Sequence, residues 1–433
     1  MRNMSVFQII ILSVFGVFAV GGLLIFAGVG GFSDSSGDIG TVLIWGTLSG
    51  QSFNSVLATL AEDNDGLRNV AYVQKDSRTY NSELTEALAS GGGPDLFLLE
   101  DSYIVRHKDK VVPIPYENLP QQQFQSTFVS SADVYLDQSG VLGVPISVDP
   151  LVLYYNEDML TKNGFVSPPV YWDELFDMAE KVTERDDANN IKKSAVAFGE
   201  FVNVVHAKDV LTALIMQAGG TVAARDESGR LRGTLGSQLG EVAQPTQSAL
   251  RFYTEFANPS KIVYSWNRSL PGSRDAFTSG DLALYVGYAS ELPLLRSLNP
   301  NISIKPAPLP QIRGADRSVT LGSLQAFAIP RTTQNIQGAL SVAFILSGKS
   351  ASAQLAEARG TPSPRRDLLA EAKDGPDAVF RSMAIISRSW LDPNPEKTAE
   401  IFRGMIESVT SGSAKLSEAV QQADKELNNL LGL

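Results

Sequence analysis

Strands and helices alternate in the first hundred residues after a short N-terminal region, and this alternation restricts the possible folds more than any other feature. Val42–Trp45 and Asn69–Val73 are short apolar strands, and Asp95–Leu99 is a third strand that follows a Gly-rich break. Two helices separate these strands, and one face of the first helix carries Phe53, Val56, Leu57, Leu60 and Ala61. This β-α-β-α-β order predicts a parallel sheet that binds ligands beyond the carboxyl ends of its strands.

A second group of strands and helices begins after Val141. Val152–Tyr155 is a predicted strand, and Trp172 lies on the packed face of a helix that follows Pro168. The last hundred residues are mainly helical, and the apolar stripe between Leu416 and Leu430 indicates core packing. The chain therefore belongs to the α/β class.

Composition excludes several classes of function. The chain has 433 residues, a net charge of −11 and no cysteine. The acidic balance argues against nucleic acid as a partner, and the lack of cysteine excludes disulfides, thiol nucleophiles and Cys-zinc sites. The two histidines, His107 and His206, lack zinc-site spacing, and we expect His107 at the surface and His206 at a helix start. No metal and no cofactor are expected.

Residues 6–32 form an uncharged apolar run that is longer than the roughly 20 residues needed to cross a bilayer. Arg2 precedes this run and Asp34 follows it, which places residues 1–5 in the cytoplasm and the bulk of the chain outside the cell membrane. We expect one transmembrane signal anchor followed by a tether over residues 33–39. Cleavage near Ala27 as a signal peptide is the alternative.

Six segments resemble extracellular solute-binding proteins of ABC importers, in the maltose-binding-like group. The most specific is Gly143–Leu160 (GVPISVDPLVLYYNEDML), which is followed by Pro168–Leu175. The other four segments occur in the same order as in the family: Gly91–Leu96, Ala276–Leu284, Gly322–Pro330 and Gly360–Arg365. The family's lipobox cysteine is absent, and Tyr288 replaces the tryptophan that usually follows Gly287.

The resemblance implies a two-lobed, periplasmic-binding-protein-like (type II) fold with a hinge. Lobe one would comprise residues 40–148 and 324–357, and lobe two residues 151–320 and 360–433. The chain would cross between lobes near Val148–Leu151, Thr320–Ser323 and Ala358–Thr361. Such a protein would be a monomer that closes on a small-molecule ligand, a mono- or oligosaccharide, and delivers it to the permease subunits of an ABC importer.

Candidate ligand-binding residues combine the aromatic surfaces and hydroxyl partners that a sugar needs. They lie at strand ends, at the implied crossings and in lobe two: Trp45, Thr47, Asp101, Ser102, Asp149, Trp266, Gly287, Tyr288, Ser323 and Thr361. Three of them have other interpretations, since Trp45 could be core, Trp266 an exposed loop residue and Asp149 a turn former. Trp172 and Trp390 are assigned to packing.

Two other functions use the same features. A tethered sensory receptor would bind its ligand by the same closure as a transport protein. A cell-surface carbohydrate hydrolase would need two carboxylates, for which Asp101 and Asp149 are the nearest candidates. No nucleophile elbow or phosphate loop accompanies them in the sequence, so a non-enzymatic binding protein is favoured. Polyamine and glycerol phosphate binders share the scaffold, and the sequence does not choose the ligand.

Overall fold

The computed structural model describes residues 39–238 and 244–433. The predicted cytoplasmic residues 1–5, the predicted transmembrane segment 6–32 and the tether up to residue 38 lie outside the described residues. No helix within the two described ranges is long and apolar enough to cross a membrane.

The strands of the described chain range from two-residue pairings to one strand of thirteen residues. They are β1 Val42–Gly46, β2 Val70–Gln74, β3 Leu96–Glu100, β4 Leu136–Asp137, β5 Gly140–Val141, β6 Val144–Asn156, β7 Glu184–Arg185, β8 Ile191–Val196, β9 Ala223–Arg225, β10 Leu231–Gly233, β11 Leu282–Tyr288, β12 Ile304–Ala307, β13 Thr320–Ala328 and β14 Ser387–Arg388.

The α-helices alternate with these strands and dominate the C-terminal part. They are α1 Gly50–Asp63, α2 Tyr80–Ser90, α3 Ile104–His107, α4 Gln121–Thr127, α5 Glu157–Lys162, α6 Glu174–Val182, α7 Ala207–Gln217, α8 Pro245–Glu255, α9 Ser273–Ser279, α10 Leu292–Leu298, α11 Ile336–Ser347, α12 Lys349–Arg359, α13 Arg366–Leu369, α14 Pro376–Ile386, α15 Pro395–Thr410 and α16 Leu416–Leu430.

The chain forms two compact units. Unit 1 contains the described residues up to Glu100, residues 107–147 and residues 324–370. Unit 2 contains residues 101–106, 148–323 and 371–433. The chain passes from unit 1 to unit 2 within β6, between residues 147 and 148, and returns to unit 1 within β13, between residues 323 and 324.

The last division lies at Ala370 and Glu371, whereas the sequence predicts it near Ala358–Thr361. Side chains after that point hold the chain on unit 1, because the Arg365 guanidinium donates to the Ser347 carbonyl at 3.1 Å. Arg366 Nε likewise donates to the Phe128 carbonyl at 2.7 Å.

The segment Asp101–Arg106 also differs from its predicted assignment to lobe one. It belongs to unit 2, since Ser389 donates to the Asp101 carboxylate and the Tyr103 hydroxyl donates to Glu396. These contacts involve side chains far along the chain, which a sequence pattern does not show.

The sheet of unit 1 contains the predicted parallel strands. β1 pairs in parallel with β2 and with β3, and the last part of β13 pairs antiparallel to β3, with Gln325 opposite Glu100. The predicted β-α-β-α-β order is confirmed. The last part of β13 runs in the opposite direction to β3, because it enters from unit 2 and is not joined to β3 by a crossover helix. Phe53 of α1 stacks on Tyr72 with ring centroids 4.1 Å apart and anchors α1 on the sheet.

The sheet of unit 2 is mixed rather than parallel. β11 pairs antiparallel with β6 and parallel with β8, and β12 pairs antiparallel with β6. All residues of β11 except the last are buried, so helices and loops cover both faces of this strand. The register places Tyr288, at the end of β11, opposite Leu151 of β6.

Candidate functional site

Tyr288 is the centre of the polar cluster in unit 2. It is part-exposed at the carboxyl end of β11, where the strand emerges from the core. The Tyr154 hydroxyl donates to the Tyr288 carbonyl at 2.8 Å, and the His206 and Tyr288 rings are nearly perpendicular, with centroids 4.9 Å apart. The backbone and the ring of Tyr288 are therefore both held in place.

Three carboxylates act on the Tyr288 phenol. Burial raises the pKa of this phenol well above its usual value, and the negative charges of Asp209, Asp101 and Asp149 raise it further. A hydrogen bond with the Asp209 side chain contributes in the same direction. The phenol is consequently neutral at physiological pH and lies in an acidic environment.

Asp101 and Asp149 lie at the start of two of the three chain segments that form unit 2. Asp149 Oδ1 accepts a hydrogen bond from the Ser290 amide at 3.0 Å, immediately after the β11 end. Asp101 is buried in a 3-10 turn and accepts from Ser389. The structure thus brings three predicted residues, Asp101, Asp149 and Tyr288, into one electrostatic cluster.

Glu291 organises the other side of this cluster. Its carboxylate accepts from the Tyr288 amide at 2.9 Å, the Tyr285 hydroxyl at 2.8 Å and Arg274 Nη2 at 2.7 Å, and it pairs with His206 Nε2 at 2.7 Å. Although burial of the Glu291 carboxyl opposes ionisation, these partners lower its pKa to about 2. A buried charge of this kind is stable only with a full set of donors.

Gly287 supports the cluster through the absence of a side chain. A Cβ at this position would lie 2.8 Å from Glu291 Oε1 and 2.6 Å from Tyr285 Cε1. Gly287 thus lets Glu291 approach the strand end, and its predicted role as a ligand contact stays a prediction.

Unit 1 carries its own polar cluster at the carboxyl end of its parallel strands. Gln325 Nε2 donates to Thr47 Oγ1 at 3.2 Å and to Glu100 Oε1 at 3.4 Å. Burial raises the pKa of the Glu100 carboxyl. No group in the described part of the chain donates to the buried Oε1 of Gln325.

Trp45 has one face covered in this structure. The Lys75 ammonium lies 3.7 Å from the centroid of the Trp45 ring, which makes a cation-π contact. Lys75 is itself paired with Glu83 at 3.1 Å. Trp45 is only half-buried, so its position permits both of the roles that the sequence left open.

The position of Trp266 differs from both interpretations that the sequence offered, a ligand contact and an exposed loop residue. It is 1% exposed, belongs to the unit 2 core, and donates through Nε1 to Asn203 Oδ1 at 3.2 Å. Neither the predicted stacking on a ligand nor an exposed loop position fits a ring enclosed on all sides. Trp172 and Trp390 are packed in the same core, as predicted.

The remaining candidates are distributed over both units. Thr361 is buried in unit 1 after α12, while Ser102 and Ser323 are part-exposed in unit 2. His107, expected at the surface, is fully buried against Phe97.

Sequence reasoning missed four members of the Tyr288 cluster: His206, Asp209, Arg274 and Glu291. One local signal was present, because a glutamate three residues after a helix N-cap is the capping-box position that binds the N-cap amide. Glu291 has this spacing from Tyr288. The other three come from distant segments.

Unit 2 also has an apolar concavity of about 340 Å³. Trp172, Phe176 and Phe252 line it, and Arg313 at the cavity is paired with Asp173 at 2.8 Å. None of the predicted ligand residues lines this cavity. In the described part of the chain, no group of three or more acidic or histidine side chains could hold a metal ion.

Comparison with known proteins identifies the family. A family model of bacterial extracellular solute-binding proteins matches residues 55–379, which is well over half of the chain. The chain belongs to this family. The resemblance seen in the sequence is thereby confirmed.

Curated relatives match only part of this chain. A binding protein of Brucella abortus (strain 2308) is 26% identical over 157 residues, which cover 34% of this chain and 37% of that protein. The match thus spans much less than two thirds of the relative's length.

Solved structures show that the two-lobed α/β fold of periplasmic binding proteins extends over the chain. An ABC transporter solute-binding protein from Thermotoga lettingae TMO, bound with alpha-D-tagatose, is 24% identical, with a TM-score of 0.67 over 91% of this chain and 100% of that chain. A cyclo/maltodextrin-binding protein complexed with maltotetraose is 18% identical, with a TM-score of 0.73 over 92% and 98%.

Proposed function

We propose that this solute-binding protein is anchored in the cell membrane by residues 6–32 and captures a neutral carbohydrate outside the cytoplasm for an ABC importer. The observation that carries the ligand class is the Tyr288 cluster, where an aromatic ring lies within the field of Asp101, Asp149 and Asp209. Sugars present C–H faces to aromatic rings and hydroxyl donors to carboxylates.

The charge of the cluster argues against an anionic solute. The negative charges of Asp101, Asp149 and Asp209 raise the pKa of the Tyr288 phenol. The same charges disfavour an anionic ligand beside the Tyr288 ring. The two sugar-bound structural neighbours support the same ligand class.

We further propose that the lobes close on the bound sugar and that the closed form is delivered to permease subunits. Family membership supports this part. The protein would act without catalysis, as a monomer and without a cofactor. A tethered sensory receptor is the alternative, because a sensor uses the same ligand-induced closure.

A thermal-shift and calorimetric screen tests the ligand class. D-tagatose and maltotetraose represent neutral sugars, glycerol 3-phosphate represents phosphate esters, and spermidine represents polyamines. We expect a neutral sugar to raise the Tm and to be recovered chemically unchanged. Stabilisation by the phosphate ester or the polyamine alone would overturn the sugar assignment, and steady consumption of a sugar would indicate a hydrolase.

Small-angle scattering tests closure. A variant that begins at Gly37 should show a smaller radius of gyration with its sugar than without it, because a ligand that binds both lobes favours the closed population. An unchanged radius at saturating sugar would contradict closure.

A further inference from the structure

His206 has an unusual backbone conformation next to the candidate site. It is the N-cap of α7 and has φ +63°, in the left-handed region. A residue with a Cβ adopts this region at a cost in free energy, and it remains there only when its surroundings hold it.

Two carboxylates hold the His206 ring. Nε2 lies 2.7 Å from Glu291 Oε1, and Nδ1 lies 3.5 Å from Asp209 Oδ2. Each of these acids also contacts Tyr288, Glu291 through the backbone amide and Asp209 through the side chain. His206 is therefore the one described residue whose ring links both acids and also packs against the Tyr288 ring.

We propose that His206 is a positioning residue for the ligand site, which fixes Glu291, Asp209 and the ring plane of Tyr288 in the arrangement that receives the solute. The proposal rests on the proposed function in one respect, since it takes Tyr288 as a ligand contact. His206 acts through Tyr288 and does not itself need to touch the solute.

The groups that face His206 favour its charged form. Asp209 lies on α7, Glu291 follows β11, and Tyr285 and Arg274 contact Glu291 from β11 and α9. Burial of the His206 ring opposes protonation, but the hydrogen bonds and charges of Asp209 and Glu291 outweigh it and raise the pKa to about 9.

Other charged groups near His206 are already paired elsewhere or act on Tyr288. Lys208, two residues further on, points to Asp392 at 2.6 Å and to Thr398. Asp101 and Asp149 act on the Tyr288 phenol. None of them competes with Glu291 and Asp209 for the ring nitrogens in the described structure.

A pH dependence follows from this arrangement. His206 carries its charge at pH 7 and loses it as the pH rises through about 9. A neutral ring makes weaker hydrogen bonds to carboxylates. The contacts of His206 with Glu291 and Asp209 therefore weaken, and Tyr288 is positioned less firmly. Affinity should be constant from pH 6 to 8 and fall above that range, while the Tyr288 phenol stays neutral because its own pKa is far higher.

NMR of the full-length protein in detergent tests the coupling without a ligand. The chain has only two histidines, and the His206→Gln variant assigns the His206 ring signals. Tyr288→Phe assigns the Tyr288 ring. We expect the His206 signals to titrate near pH 9 and the Tyr288 signals to shift with the same midpoint. A His206 midpoint near the ordinary value of about 6.5, or Tyr288 signals that do not follow it, would overturn the proposal.

Calorimetry with D-tagatose and maltotetraose tests the effect on binding. His206→Gln should weaken the affinity for whichever sugar binds by about tenfold at pH 7, the loss expected from one charge-assisted hydrogen bond, and should remove the decline above pH 8. Lys305→Gln is the matched control, because Lys305 forms an ion pair with Glu157 at 2.6 Å in the same unit and should leave both affinity and pH profile unchanged.

The outcomes separate the two proposals. A His206→Gln protein that binds more weakly but keeps the decline above pH 8 would show a merely structural role and overturn the positioning role. If neither sugar binds while the NMR coupling is present, the sugar assignment fails and the positioning of Tyr288 by His206 stands. If a sugar binds and the NMR coupling is absent, the proposed function stands and this inference fails.

Discussion

The Glu291 carboxylate accepts a hydrogen bond from the backbone amide of Tyr288 at 2.9 Å. Glu291 is buried and lies three residues after Tyr288, so it fixes the last residue of strand β11. The same carboxylate binds Arg274, Tyr285 and His206. The position of the Tyr288 ring therefore depends on one buried, ionised group. This dependence makes the site testable by single substitutions.

Gly287→Ala should disrupt the site without altering any charge. The new Cβ would overlap Glu291 Oε1 at 2.8 Å and Tyr285 Cε1 at 2.6 Å, and such overpacking costs about 1–3 kcal/mol. Chemical denaturation should show this loss, and sugar binding should weaken strongly. Gly404→Ala is the control, because nothing lies near its Cβ position in helix α15, and alanine should be neutral or stabilising there.

Glu291→Ala should be among the most destabilising substitutions in unit 2. It leaves Arg274 and His206 without their buried partner, and breaking a buried ion pair in this way costs about 3–5 kcal/mol. Glu291→Gln retains the volume and one acceptor, so it should cost less. Equal free energies of unfolding for the wild type and Glu291→Ala would contradict the central role of this carboxylate.

Trp266→Ala and Tyr288→Ala should separate packing from binding. Trp266 is 1% exposed in the core, so its removal should lower the free energy of unfolding by about 3–5 kcal/mol. Tyr288 is part-exposed, and its removal should weaken sugar binding more than it lowers stability. Thermal unfolding and calorimetry on both variants measure the difference, and a stable Trp266→Ala protein that no longer binds sugar would reverse the assignment.

Stability should fall as the pH rises from about 6.5 to about 9. The pKa of His206 is raised to about 9 in the folded protein, and the unfolded value is about 6.5. Its stabilising contribution is therefore complete below the unfolded value and is lost as the pH passes through the folded value. Urea unfolding at pH 6, 7, 8, 9 and 10 should show this decline, which should be absent in His206→Gln.

The full-length protein should remain in the membrane fraction after carbonate or high-salt washing. The run 6–32 is uncharged and longer than the roughly 20 residues required to span a bilayer, and apolar insertion is not reversed by salt. N-terminal sequencing of the mature protein distinguishes an uncleaved membrane anchor from a cleaved signal peptide. A soluble protein that begins near Ser33 would show that the segment is a cleaved signal peptide.

The alternation of strands and helices in the first hundred described residues could be predicted because it is a local property. The spacing of Phe53, Val56 and Leu57 corresponds to the buried face of α1, and β1, β2 and β3 pair in parallel as βαβ connectivity requires. The direction of the later strand β13 could not be predicted from a local pattern. β13 runs antiparallel to β3 because it enters from the other unit.

The sequence by itself determined the class of the chain, the family resemblance, the parallel strands β1 to β3 and the packing of Trp172. These follow from periodicity and from contiguous motifs. Only the tertiary structure decided that Trp266 is enclosed in the core, that Asp101 belongs with unit 2 and that His206, Asp209 and Arg274 join Glu291 around Tyr288. The physical reason is that burial and charge pairing join side chains distant in sequence, as between His206 and Glu291, 85 residues apart, and no local pattern encodes such a pair.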